Sequence, residues 1–343
     1  MSGNKNLNAA MRAKKDKFYT QLEDIENELR HYRDFFTGKI IFCNCDDPFE
    51  SNFFKYFALK FNDLELKKLI CTSYADSPIA GLELNLFPDG KTAYMVEVTE
   101  LKDWNGDGRE DLLDVAFAIE HGIYKRQPLT GDLKYCAGDF RSEELLKLLR
   151  QADVVVTNPP FSVFREFIAL MIASNKKFLV IGNMNAITYK EIFPLIMANK
   201  LWLGYGFKGG DPCFRVPDDY ESDTRFWIDE DGKRWRSLGN LHWYTNIETP
   251  KRYWELDLWK NYTPEEYPRY DNYDAIEVSK TADIPVDYFG VMGVPITFLD
   301  KYCPNQFEIL GKIDTGKIDE YNLANPIING KMIYKRIAIR RRR

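Results

Sequence analysis

The chain has 343 residues, 45% of them hydrophobic and 15% aromatic, enough for a full core in one large domain or two unequal ones. Its formal net charge of -5 at pH 7 argues against indiscriminate binding to a polyanion while allowing a local basic face. No apolar run is long enough to cross a bilayer, and "MSGNKNLNAAMRAKKDKF" has no apolar core of signal-peptide type, so a cytoplasmic protein with no membrane partner is expected.

In chain order, "FYTQLEDIENELRHYRDFF" spaces Leu22, Ile25, Leu29 and Tyr32 as one helical stripe. The strand "KIIFCNCDD" follows, then Pro48 and the polar Glu50, Ser51 and Asn52 lead into an aromatic helix, "FFKYFALKF". "LKKLICTSY" and "TAYMVEVTE" read as strands. "SEELLKLLRQ" reads as a helix feeding the strand of "ADVVVTNPPF", followed by helix "FREFIALMIASN", strand "KKFLVIGNM", helix "YKEIFPLIMAN" and strand "LWLGYGF". This alternation predicts an α/β, doubly wound, mostly parallel sheet, with ligands beyond the carboxyl ends of the strands. Both conspicuous turns, "NCDDP" and "TNPPF", fall there. From about residue 250 the alternation fades into Tyr-, Pro- and Asp-rich sequence, so residues 1-250 are expected to form a catalytic domain and 251-343 a smaller region. Its end, "YKRIAIRRRR", reads either as a solvated terminus or as a phosphate-contacting basic tail.

The six cysteines (Cys43, Cys45, Cys71, Cys136, Cys213 and Cys303) lie mostly in apolar, strand-like segments and at no framework spacing, which predicts reduced core thiols. Cys213 follows a proline and reads as structural. The three histidines form no spaced cluster. "DWNGDGREDLLD" puts Asp103, Asn105, Asp107 and Asp114 at positions one, three, five and twelve around Gly108; this fits either a structural calcium loop or a tight Asn-Gly-Asp-Gly turn.

An acid at the carboxyl end of the first strand can accept hydrogen bonds from a ribose or hold a cationic group, and the helix that follows offers backbone N-H groups. The glycines a pyrophosphate needs are missing here, which favours a ligand without phosphates. In "CAGDF" the Asp139 carboxylate can accept from an exocyclic amine while Phe140 stacks on a purine; capping of the next helix by Asp139 is the alternative. In "TNPPF" the Asn158 side-chain carbonyl and the Pro159 carbonyl can converge on one amino group, because two prolines stiffen the backbone, and Phe161 offers a ring face. Two acceptors on the hydrogens of an aromatic amine favour the pyramidal form, which localises the nitrogen lone pair for attack on a methyl sulfonium. An ordinary turn is the competing reading.

Together these motifs resemble the S-adenosylmethionine-dependent amino-methyltransferases with their [DNS]-P-P-[FYW] signature, and more closely the EcoRI-type adenine-specific DNA methyltransferase family. The resemblance runs from "KFYTQLEDIENEL" through "FCNCDDPFESNFFKYFA", "GDFRSEE", "ADVVVTNPPFSVFREF" and "GNLHWYTN" to "IPVDYFGVMGVPITFLDKY", nearly the whole chain. It implies a Rossmann-like class I methyltransferase fold and methylation of adenine N6 in double-stranded DNA, with the base flipped out of the stack. It makes Asn158, Pro159, Pro160 and Phe161 the catalytic loop. Phe18, Tyr19, Thr20, Asn44, Cys45, Asp46, Asp47, Asp139, Phe140 and Asn158 then face S-adenosylmethionine. The gamma order of motifs puts target recognition after the loop, and the family raises the question of a cognate restriction endonuclease. Two departures stand out: the first-strand turn lacks glycines, and no acid follows the second strand directly, which leaves Ser73 or Asp76 near the ribose. A protein glutamine or RNA amino-methyltransferase, or an inactive cofactor-binding DNA-binding module, is the alternative.

Overall fold

The computed structural model describes residues 19–48, 51–74, 93–207, 212–216, 225–272, 274–313 and 326–343. Phe18 and Asp76 lie outside the described residues. The chain divides into two compact units, one of 1–184 and 206–247, the other of 185–205 and 248–343.

The first unit is built on seven strands: β1 (Ile40–Cys43), β2 (Lys68–Thr72), β3 (Tyr94–Val98), β4 (Lys125–Pro128), β5 (Val154–Thr157), β6 (Lys177–Asn183) and β7 (Leu241–Thr245). They lie in the order β4-β3-β2-β1-β5-β6-β7. The four central strands are parallel, with Ile41 opposite both Leu69 and Val154, and Val155 opposite Phe178. Both flanks are antiparallel, β3 to β2, β4 to β3 and β7 to β6. The expected α/β architecture is present, and parallel pairing is confined to the centre. The physical reason is that "YMVEV" and "LHWYT" are buried almost throughout, like the central strands, and a buried run does not encode strand direction.

The helices are α1 (Leu22–Leu29), α2 (Asn52–Leu59), α3 (Leu112–Glu120), α4 (Glu143–Gln151) and α5 (Phe164–Ala173). Ile25 and Leu29 of α1, with Tyr32 beyond it, are buried as the stripe requires, and Glu28 is buried beside them. The Glu28 carboxylate accepts from Tyr32 Oη at 2.8 Å and from the Gly206 backbone N-H at 2.9 Å, so it has polar partners where an isolated charge would be costly. Ser51 caps α2, and Ser142 caps α4 through the Leu145 N-H. A separate antiparallel sheet joins Tyr19–Thr20 to Cys213–Arg215, then Arg234–Ser237 and Phe226–Ile228.

In the second unit a four-stranded sheet runs β8 (Ile276–Glu277), β9 (Val291–Pro295), β11 (Arg336–Arg341), β10 (Phe307–Ile313). The basic stretch expected to be a solvated terminus or a phosphate-contacting tail is therefore largely an interior strand. Ile337, Ala338 and Ile339 are buried, and Ile339 pairs with both Met292 and Ile309. Its arginines have assigned partners. Arg336 grips the buried Glu277, which also accepts from Tyr270 Oη; Arg340 meets Glu308 at 2.8 Å, and Arg341 bonds the Val286 carbonyl. Arg342 Nε donates to the Pro304 carbonyl at 2.9 Å. The sequence misled because an apolar triplet between arginines gives the same pattern for a central strand and for an exposed basic arm. No helix among the described residues is long and apolar enough to cross a membrane, and all six cysteines are thiols.

Candidate active site

Strand β1 delivers "NCDDP" to the carboxyl edge of the sheet with Asn44, Asp46 and Asp47 buried and Cys45 partly exposed. Asp46 Oδ1 accepts from Ser51 Oγ at 2.8 Å, and that same oxygen of Ser51 accepts the N-H groups of Phe53 and Phe54 at the start of α2. Asp46 Oδ2 accepts from Thr157 Oγ1, the last residue of β5. The Asp46 backbone carbonyl takes the Cys71 thiol at 3.1 Å. Asp47 accepts from Tyr94 Oη at 3.0 Å, and burial followed by the Asp47 charge pushes that phenol well above its ordinary range. Burial likewise raises the thiols of Cys43 and Cys71, which keeps them protonated and unreactive.

The catalytic-loop candidates follow β5 directly. Asn158 and Pro160 are partly exposed, Pro159 is buried, and Phe161, 8% exposed, opens a 3-10 turn before α5. The ring face read from the sequence as a stacking surface is therefore largely covered in this conformation. Thr20 is brought to the same edge because Asn52 Nδ2 at the start of α2 donates to its carbonyl at 2.8 Å.

The Asp139 segment reaches the edge through Gly138. With φ at +81°, a Cβ there would sit 2.1 Å from the Ser73 carbonyl, so only glycine allows this backbone to lie against the end of β2. Asp139 does not cap α4 with its side chain; Ser142 does. The Asp139 carboxylate is instead held by Arg141, Nε at 2.9 Å and Nη2 at 2.7 Å, while Arg141 Nη1 reaches Glu166 at 2.6 Å. Phe140 is buried edge-on against Phe167, centroids 5.1 Å apart. Ser73 uses its hydroxyl to continue the β2–β3 ladder, accepting from the Tyr94 N-H at 2.9 Å.

The model of one family, described as "Adenine-specific methyltransferase EcoRI", matches residues 6–342. The chain belongs to this family. It is 46% identical to Type II methyltransferase M.EcoRI of Escherichia coli, over 99% of this chain and 97% of that protein. It is 35% identical to Type II methyltransferase M.MgeORF184P of Mycoplasma genitalium and 34% identical to Type II methyltransferase M.MpnI of Mycoplasma pneumoniae, each over 98% of both chains. No solved structure matches it.

For this member of the EcoRI methyltransferase family, S-adenosylmethionine is the group to test against the site. The hydroxyls of Thr20 and Thr72 are buried with no hydrogen-bond partner among the described residues, and both lie by the acidic turn or at the end of β2. Buried hydroxyls without a partner, on the edge that also carries the acidic turn, suit a ligand with an ammonium group and ribose hydroxyls, so the residues present fit the cofactor.

The calcium-type loop is a different object. Asp103 accepts from the N-H groups of Gly106, Asp107 and Gly108, and Asp114 from those of Trp104, Asn105 and Asp111. Among the described residues no group of three or more His, Cys, Asp or Glu converges as metal ligands do. The local hydrogen bonding is that of a tight turn leading into a capping box.

Sequence reading missed Thr157, Tyr94 and Arg141, and took Ser51 only as part of the lead into α2. Ser51 carried a signal, a serine before an apolar helical run. Tyr94 carried none, since it enters from an antiparallel strand.

Proposed function

We propose that this chain is a type II DNA methyltransferase that moves the methyl group of S-adenosylmethionine to the N6 amino group of an adenine flipped out of duplex DNA. Membership of the EcoRI family and relatives named Type II methyltransferases support the DNA-methylating class. The observation that carries the finer reading is the hydrogen bond from Thr157 to Asp46, which joins the Asn158 loop to the acidic turn at one edge of the sheet. Such an edge is where an open α/β sheet takes its ligands.

The cofactor supplies a methyl group on a sulfonium, an electrophile that needs no further activation. Asn44, Cys45, Asp47, Thr20, Thr72 and the Asp139–Phe140 segment would hold it, with Tyr19 alongside Thr20. The Asn158 side-chain carbonyl and the Pro159 carbonyl accept the two amino hydrogens, leaving the nitrogen lone pair localised on the attacking side. With the cofactor bound, the sulfonium sulfur would leave as a neutral thioether when its methyl group passed to the nitrogen, and the surplus amino proton would go to water. Rate comes from orientation and fixed dipoles, with no strong base required. Target reading falls to the second unit, whose exposed Trp254, Trp259 and Phe289 are rings of the kind nucleic-acid surfaces use. The guanidiniums of Arg341 and Arg343 lie over the Phe289 ring.

The test is to express the wild-type chain and its Asn158→Ala variant in a methylation-free host and map modified bases by single-molecule sequencing. The wild type is expected to leave N6-methyladenine at one sequence motif, and the variant none, with cofactor affinity changed by no more than about threefold. Unmodified host DNA with the wild type, or full methylation with the variant, overturns the reading.

A further inference from the structure

We infer that Thr157 is a positioning residue for methyl transfer, its hydroxyl anchored on Asp46 so that Asn158 leaves strand β5 in one fixed direction. This rests on the reading of Asn158 as an acceptor of the amino group. Three valines, Val154 to Val156, precede Thr157, and all four side chains are buried. A fourth valine would fill nearly the same volume with no hydroxyl to satisfy, so the threonine matters only through its bond. That bond spans 111 residues of sequence and ends on a buried carboxylate.

The anchor itself is fixed from several sides. Ser51 Oγ accepts two backbone N-H groups, so its own proton is directed to Asp46. The Cys71 thiol donates to the Asp46 main chain, and β1 carries the residue. The end of β5 is thereby tied to β1, β2 and the N-terminus of α2, and Asn158 is the next residue. A β-branched side chain has few χ1 choices, and a buried bond to a carboxylate selects one of them. The acidic pair is divided by this arrangement: Asp46 serves the catalytic loop, while Asp47, on Tyr94, remains the cofactor-side carboxylate.

The experiment uses the full chain. Thr157→Val keeps the shape and removes the hydroxyl. Its affinity for S-adenosylmethionine by calorimetry is expected to stay within about threefold of wild type, while the single-turnover rate of methyl transfer to duplex DNA falls roughly 10- to 100-fold. Thr157→Ser, which restores the donor, is expected to return the rate to within about threefold of wild type. A Val variant with a wild-type rate overturns the inference. So does one whose cofactor affinity falls in step with the rate, because the hydroxyl then serves binding. If the Val variant does not fold, Thr157→Ala, which also removes the hydroxyl, is read by the same split between affinity and rate, with the same overturning outcomes. Full activity in Asn158→Ala would instead sink the underlying reading, and the two failures are told apart by which variant keeps its rate.

Discussion

Two acid-rich loops, 44–47 and 103–114, are alike in composition and built in opposite ways. In the second, Asp103 and Asp114 accept from backbone N-H groups of the loop itself, within eleven positions along the chain. In the first, Asp46 and Asp47 accept from side chains, Ser51 five positions on and Thr157 and Tyr94 from distant strands. The contrast teaches that an acidic motif declares its role by the sequence distance of its partners. Local amides make a folding device, and remote side chains make a place where elements are brought into register.

The comparison can be broken most directly at Asp114. Asp114→Ala leaves the N-H groups of Trp104, Asn105 and Asp111 without their acceptor and is expected to lower stability by about 1–2 kcal/mol in denaturant titration, with methylation unchanged well below the melting point. If methylation fails while the fold survives, the local loop serves the site and the contrast collapses. Asp47→Asn, which keeps an oxygen to accept from Tyr94 Oη, is expected to do the reverse, weakening cofactor affinity about tenfold, roughly 1.4 kcal/mol, with little change in melting temperature. A variant that melts early and still binds would move Asp47 to the structural class.

Titration sharpens the contrast with a third acid. Burial works to raise the Asp114 carboxyl, but the N-H groups of Asp111, Asn105 and Trp104 outweigh it and hold the group below its ordinary value. Its contribution is therefore present above the usual carboxylate range and is lost as pH falls through the lowered value. Asp24 on α1 behaves oppositely: burial first, then the neighbouring Glu23, push it up to about 6. The folded state holds that proton longer than the unfolded one, so stability declines as pH rises from about 4 to about 6 and stays reduced above. Asp24→Asn should gain about 1 kcal/mol at pH 7.5, discounted for partial exposure, and nothing at pH 3.5. An equal gain at both pH values would remove the electrostatic explanation. The smallest expected effect is that of millimolar calcium, which should move the melting temperature by less than about 1 °C, since the loop oxygens already serve the loop's own N-H groups.

Much of the first unit was legible because its signals are local. The stripe of α1, the run of valines before Asn158 and the punctuation around Pro48 each name an element within a few residues. Direction of the flanking strands was not legible, since it depends on where the chain returns. The Asp46 to Thr157 bond was equally hidden: each residue looked ordinary in its own window, and only the parallel pairing of β1 with β5 makes them neighbours. Arg336 to Arg341 misled for the same reason, its central position being a property of the sheet and absent from the local pattern.

That central strand has a consequence for the order in which the protein can be made. On the ribosome, β9 and β10 emerge well before residues 336–341, yet each pairs directly with that later segment. Until it leaves the exit tunnel, the second unit holds apolar strands with a vacant place between them, a state open to wrong partners. The first unit has its closing strand, β7, by residue 245, about ninety residues sooner. Nascent chains should therefore carry the formed sheet of the first unit while the C-terminal sheet still waits, and premature termination anywhere before β11 would release a half-built second unit for proteolysis.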